Sequence, residues 1–203
     1  MTRAKPTAPV FDFADWGRGR VAVLGIDPAS RLLGLVALGW DGTVLDSLEW
    51  QIVPRKLDYA DRLLIIRDGL RAAIRELHPA AVAYEAGTGP HPAPESDVIV
   101  SQIPGWCAGL GAEIVGYTPS QWRKTVCGYG GYDKMGAWTV MARDYPQFLR
   151  LAGGSAREQG DVRDAFGLAR CWLERHRSPL ALALSEPRAR MVRVRRTVRA
   201  AQS

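Results

Sequence analysis

The sequence predicts an α/β fold, a five-stranded mixed sheet with helices on both faces, and three observations carry that prediction. The first is a set of three short apolar segments near the start, joined by turn residues, which is the pattern of an antiparallel meander. The second is a stretch in which hydrophobic residues recur at intervals of three and four, as on an amphipathic helix. The third is the alternation of strand-like and helical runs that follows, the order that builds right-handed crossovers and covers both sides of a sheet.

Taken in order, Val21 to Ile26 is a buried strand, Leu32 to Trp40 a second, and Asp41-Gly42 a hairpin turn into a third, Thr43 to Ile52. Leu63, Ile66, Leu70, Ile74 and Leu77, interleaved with Arg62, Arg67, Arg71 and Arg75, mark a helix that Pro79 ends. Ala80 to Glu85 suits a fourth buried strand, and Gly87 to Pro94 is turn chemistry throughout. Ser96 to Leu110 reads as a helix weakened at Pro104-Gly105, and Glu113 to Tyr117 as a fifth strand. Ser120 is the expected cap of a short helix through Val126. Gly128 to Gly131 is a loop, Lys134 to Tyr145 is helical, and Asp161 to Arg175 is a last strong helix.

Composition bounds the function. A chain of 203 residues with 47% hydrophobic and 24% charged residues fits one globular domain with extensions. Its apolar runs fall short of the roughly 18 residues that span a bilayer, and Met1 to Val10 lacks a secretory apolar segment, so no membrane association and a cytoplasmic location are expected. Cys107, Cys127 and Cys171 are scattered without a C-x-x-C pair, which points away from a disulfide framework and from zinc. Residues 177–203 hold seven arginines and one acid, Glu186, a balance of +6 that equals the net charge of the whole chain. The expected organisation is a loose arm over 1–19, a folded domain over 20–176 and a basic tail over 177–203. Arg193, Arg195 and Arg196 in that tail are candidates for binding a nucleic-acid backbone.

The carboxylates carry the chemistry. Asp27 and Glu85 both stand at the carboxyl ends of strands expected to be central, where ligands gather in open α/β sheets. Each alone has a plain alternative, Asp27 capping the turn at Pro28-Ala29-Ser30 and Glu85 accepting from the Gly87-Thr88-Gly89 turn. In the last helix Asp161 and Asp164 are three apart on the face that continues through Ala165, Leu168 and Trp172 toward the sheet. Acids aimed inward at adjacent turns repel one another unless a cation lies between them. Mg²⁺, with Mn²⁺ able to substitute, takes such oxygen ligands, and four acids could hold two ions about 3.5–4 Å apart for phosphoryl transfer. Helix capping by Asp161 and solvent exposure of Asp164 are the competing readings.

In that order the residues resemble the RuvC-type Holliday junction resolvases, members of the RNase H-like nuclease superfamily. The resemblance runs from about Val21 to Trp172: G25-I-D-P-A-S-R-L-L-G34 with Ala29 at a usual glycine, Y84-E85, S101-Q-I-P-G-W106, the basic segment R123-K-T-V-C-G-Y-G-G-Y-D-K134, and D161-x-x-D164-A. Where family members usually carry an aromatic ring after the glutamate, residues 86–94 offer His91. The resemblance implies a metal-dependent endonuclease that works as a homodimer and nicks opposing strands of a four-way junction during recombination or repair. It implies Asp27, Glu85, Asp161 and Asp164 as metal ligands. Arg123 and Lys134, with Lys124 beside them, are the implied DNA contacts, and Lys134 joins the catalytic group. Trp106, Trp122, Trp138 and Trp172 are expected in the core or at an interface.

Three alternatives stand beside this reading. An ATPase of the actin and sugar-kinase class would need a second such domain and a second Gly-rich phosphate motif, for which the chain is too short. A non-catalytic nucleic-acid-binding module of the same fold would be expected to have lost at least one acid. A related nuclease could act on flaps or forks instead of four-way junctions.

Overall fold

The computed structural model describes residues 21–28, 32–51, 58–87, 94–152 and 160–176. The arm, the basic tail with Arg193, Arg195 and Arg196, the Ala29-Ser30 turn and His91 lie outside the described residues. Five strands form one sheet: β1 (Val21–Pro28), β2 (Leu32–Gly39), β3 (Val44–Gln51), β4 (Ala81–Glu85) and β5 (Glu113–Tyr117). Their spatial order is β3-β2-β1-β4-β5. The meander pairs antiparallel, and β4 and β5 join parallel beside β1. The parallel pairings need crossovers, which α1 (Tyr59–Leu77) and α2 (Pro94–Cys107) provide.

Helix boundaries follow capping chemistry. Asp58 caps α1, its carboxylate accepting from the Asp61 N–H. Pro104 lies inside α2 without breaking it: it falls in the last turn and is exposed, while Ile103 and Cys107 anchor the buried side. For α3 (Pro119–Cys127), the cap is Thr118 and not Ser120. Thr118 and Gln121 exchange hydrogen bonds as a capping box, and Pro119 takes the first helical position, where a missing N–H does no harm. The fourth helix, α4 (Lys134–Asp144), is capped by Asp133, and an unforeseen 3-10 helix, Pro146–Ala152, follows before α5 (Gly160–His176).

The two sheet faces bury separate cores. Leu24, Ile26, Leu33, Leu35, Val82 and Tyr84 pack with α1 and α2. Val36, Leu38, Ala81 and Ala83 pack with α3, α4 and α5. Side chains alternate along a strand, so Asp27 follows Ile26 onto the α5 face, and Glu85 follows Tyr84 onto the same face. Ile26 and Tyr84 are register partners, which sets the two acids at the same level on adjacent strands.

Two glycines let α5 lie directly on the sheet. A Cβ on Gly34, the register partner of Asp27, would stand 2.1 Å from the Asp161 carbonyl carbon and oxygen. A Cβ on Gly25 would stand 2.1 Å from the Ala165 carbonyl oxygen. Helix and sheet backbones are therefore in contact without intervening side chains, and the first turn of α5 is brought down beside Asp27. Ala165, Leu168 and Trp172 continue the buried stripe.

Candidate metal and DNA-cutting site

Asp27, Glu85, Asp161 and Asp164 share one sheet face and act on one another electrostatically. Asp164 is 1% exposed, which removes the reading that placed it in solvent. Helix α5 begins at Gly160, so Asp161 belongs to its first turn and not to its cap.

The surroundings resist ionisation of these acids. Burial raises the Asp27 carboxyl well above its ordinary range, and the charges of Glu85, Asp164 and Asp161 push it further, against the pull of Lys134. Burial also raises Glu85, helped by Asp164 and opposed by a hydrogen bond from Trp122 and by the charges of Lys134 and Arg123. Asp161 is raised by burial, with Lys134 opposing.

Two indoles and one ammonium group hold the carboxylates. Trp122 donates its Nε1–H to Glu85 Oε2 at 3.3 Å. Trp138 donates its Nε1–H to Asp164 Oδ1 at 2.9 Å. Lys134, one turn before Trp138 on α4, brings Nζ to 2.7 Å from Asp164 Oδ2. Burial alone would lower the Lys134 pKa, but Asp164, Asp27 and Asp161 together raise it, so the ammonium stays charged. Arg163 lies over the Trp138 ring, its guanidinium carbon 4.8 Å from the centroid, and backs the indole that orients Asp164. The expectation that Trp122 and Trp138 belong to the core holds, at 0% and 8% exposure, yet both also serve the acids.

The other cations are placed differently. Arg123 stacks over Trp122 and donates from Nη1 to the Tyr132 carbonyl at 2.9 Å, so its charge reaches Glu85 without a direct contact. Lys124 is exposed in the last turn of α3, beside that helix's carbonyl end. Neither is drawn into the carboxylate group.

The donor set fits a hard divalent cation. It is made of carboxylate oxygens, and the buried Asp164 Oδ2 meets the Lys134 ammonium at 2.7 Å, a cation standing where a hard metal ion would find an oxygen ligand. Among the described residues no three acids converge into a finished ligand cage. Lys134 stands against Asp164, where an ion would add its own charge. The Lys134 charge offsets part of the repulsion among the four acids, and a divalent ion would offset more of it.

Comparison with known proteins settles the family. The family model described as "Crossover junction endodeoxyribonuclease RuvC" matches residues 23–172, a span that contains all four acids and Lys134. The chain belongs to the RuvC family. RuvC of Anaeromyxobacter dehalogenans is 32% identical over 75% of this chain and 80% of its own length. RuvC of Chloroflexus aggregans is 31% identical over 73% of this chain and 90% of its own length. Among solved structures, Thermus thermophilus RuvC in complex with Holliday junction substrate aligns with a TM-score of 0.59 at 19% identity, covering 74% of this chain and 92% of that one. The yeast mitochondrial Holliday junction resolvase Ydc2 aligns at 0.56 and 13% identity, covering 77% and 79%. The fold of this RuvC-family chain is thus RNase H-like, with its five-stranded mixed sheet and helices on both faces. No helix among its described residues is long and apolar enough to cross a membrane.

Proposed function

We propose that this chain is a metal-dependent endonuclease that resolves four-way DNA junctions by paired nicks, and that Asp27, Glu85, Asp161 and Asp164 hold its metal. The observation that carries the reading is the delivery of these acids from β1, β4 and α5 to one sheet face, with Lys134 against Asp164. Mg²⁺ is the proposed ion, with Mn²⁺ as a substitute; when bound, it supplies Lewis acidity toward the phosphate and the attacking water.

The chain's own residues do the remaining work. The four acids would hold the cation, whose charge would offset their repulsion of an incoming phosphate. Trp122 and Trp138 occupy one oxygen of Glu85 and one of Asp164, respectively, and so orient these carboxylates, as outer partners do around metal ligands. Lys134, half exposed, carries a positive charge at the rim where the phosphate arrives. Arg123 and Lys124 extend that charge along the α3–α4 side as contacts to the DNA backbone. In hydrolysis water adds to phosphorus as the bond to the 3′ oxygen breaks, leaving a 5′-phosphate and a 3′-hydroxyl.

Each chain contributes one such group of acids, so paired nicks call for two copies, and a homodimer is part of the proposal. The relative from Thermus thermophilus is seen with a Holliday junction substrate, which supports branched DNA as the partner. The deciding experiment compares four-way junction, fork, flap and linear duplex under Mg²⁺, with Asp27→Asn as control. Paired nicks in the junction, lost in the variant and in excess chelator, are expected. Preferential cutting of forks or flaps would reassign the substrate, and full activity in chelator would sink the metal mechanism.

A further inference from the structure

The loop between α3 and α4 holds an aromatic feature that the carboxylate chemistry does not use. Tyr129 is 62% exposed and Met135 58% exposed, one on either side of Lys134 in the chain. The tyrosine is exposed but not loosely held. A Cβ on Gly131 would stand 2.6 Å from Tyr129 Oη and 2.7 Å from its Cζ, so the ring lies directly on the glycine backbone. Tyr132 meets the ring edge-on, with centroids 5.3 Å apart and planes at 87°. Arg123 ties the loop down through the Tyr132 carbonyl, and Asp133 fixes its far end by accepting from the Gly136 N–H at 2.7 Å. A ring packed on one side and open on the other has little freedom left to lose when something stacks on it.

The charges beside the ring select the ligand. Lys134, five residues on, touches Asp164, and Arg123, anchored to the same loop, acts on Glu85. The ring therefore sits on a loop bracketed by two cations that act on the acid group. A flat apolar face beside cations suits a polyanion that also presents flat apolar rings. We propose that Tyr129 is a stacking platform for an unpaired nucleobase of the DNA strand held at the carboxylates. The inference rests on the junction-cutting reading, because a branch point interrupts the continuous base stack and leaves terminal base pairs that can open near the phosphate to be cut. Aromatic stacking accepts any base, so the platform would add affinity for the branch more than for a sequence.

The test measures binding of Tyr129→Ala, Tyr129→Phe and Tyr129→Trp to a four-way junction in chelator. It uses the intact junction, linear duplex, and a set of junctions each lacking one base near the branch. Tyr129→Ala should bind the intact junction roughly 5- to 100-fold more weakly. Phe should retain affinity and Trp match or exceed it. The loss should vanish on the junction that lacks the stacked base, and the salt slope should not change, since no charge is removed. Unchanged affinity of Tyr129→Ala overturns the platform alone. So does a loss that is equal on every abasic junction and on duplex. Should Tyr129→Ala unfold, the Phe and Trp proteins on the abasic set still decide, because stacking requires their affinity to fall at one base position. A wild-type protein that binds junction no better than duplex sinks the resolvase reading and this inference with it.

Discussion

Trp138 donates its indole N–H to Asp164 at 2.9 Å and thereby occupies one of the two oxygens of the most deeply buried acid in the site. The other oxygen is left to Lys134 and, in the proposed function, to a cation. Trp138→Phe keeps the ring and removes the donor. Metal affinity, followed by Mn²⁺ binding, should fall by about 10–100-fold, with junction binding retained. The protein should also lose about 1–3 kcal/mol of stability from the unsatisfied buried acceptor. An unchanged Mn²⁺ affinity would reduce the indole to a packing residue.

Asp27→Asn should trade activity for stability. The buried Asp27 carboxylate is opposed by burial first and then by three neighbouring acids, so the neutral amide relieves the fold while removing a proposed metal ligand. Cleavage should fall by roughly two to three orders of magnitude or more. The melting temperature measured in chelator at neutral pH should rise. A lower melting temperature would mean that Asp27 supports the fold through a contact other than charge.

The pH dependence has a defined sign. Asp27, Glu85 and Asp161 all have folded pKa values above their unfolded ones, so the folded state binds more protons between those values. Their favourable contribution is complete below about pH 4, the ordinary carboxylate range, and is lost as pH rises through the raised values. In chelator the melting temperature should therefore decline across that window. Mg²⁺ should restore it increasingly as pH rises, because protons and metal compete for the same oxygens. Melting curves with and without Mg²⁺ from about pH 4 to 8 check this, and a Mg²⁺ effect larger at the acid end would contradict it.

Gly34→Ala should damage the site from a distance. The new methyl group would collide with the Asp161 backbone, and relief requires α5 to lift from the sheet. A destabilisation of about 1–3 kcal/mol is expected, with a larger fractional loss of cleavage than of junction binding. Gly105→Ala is the control, since nothing lies within 4 Å of a Cβ there and the helix gains about 0.5–1 kcal/mol. Denaturant unfolding of both variants makes the comparison.

Removing residues 177–203 takes away seven arginines outside the described fold. Junction affinity should drop, and the slope of log affinity against log salt should flatten by up to about 0.9 for each phosphate that the tail no longer neutralises. An unchanged slope would assign the tail a role other than DNA binding.

The strands and the acids were legible because both follow simple rules. Alternation carries Asp27 and Glu85 to one side of their strands, and the interval of three sets Asp161 and Asp164 on one helix face. The supporting residues were harder to see. A tryptophan that donates to a buried carboxylate has the same sequence context as one that only fills space, so Trp122 and Trp138 read as core. The spacing of Lys134 and Trp138, one helical turn apart, was the available signal. Thr118-Pro119-Ser120-Gln121 likewise contains a capping box that begins at Thr118, and attention to Ser120 passed over it. Arg123 faces the Tyr132 carbonyl through a loop closure, which no local period encodes.

The close seating of α5 on Gly25 and Gly34 has a consequence for how the protein is made. Asp27 and Glu85 leave the ribosome early, but Asp161 and Asp164 arrive on the last described helix and come into place when it docks. A nascent or truncated chain thus carries half of the acid set and no means of completing it. The same helix that closes the core also completes the proposed site.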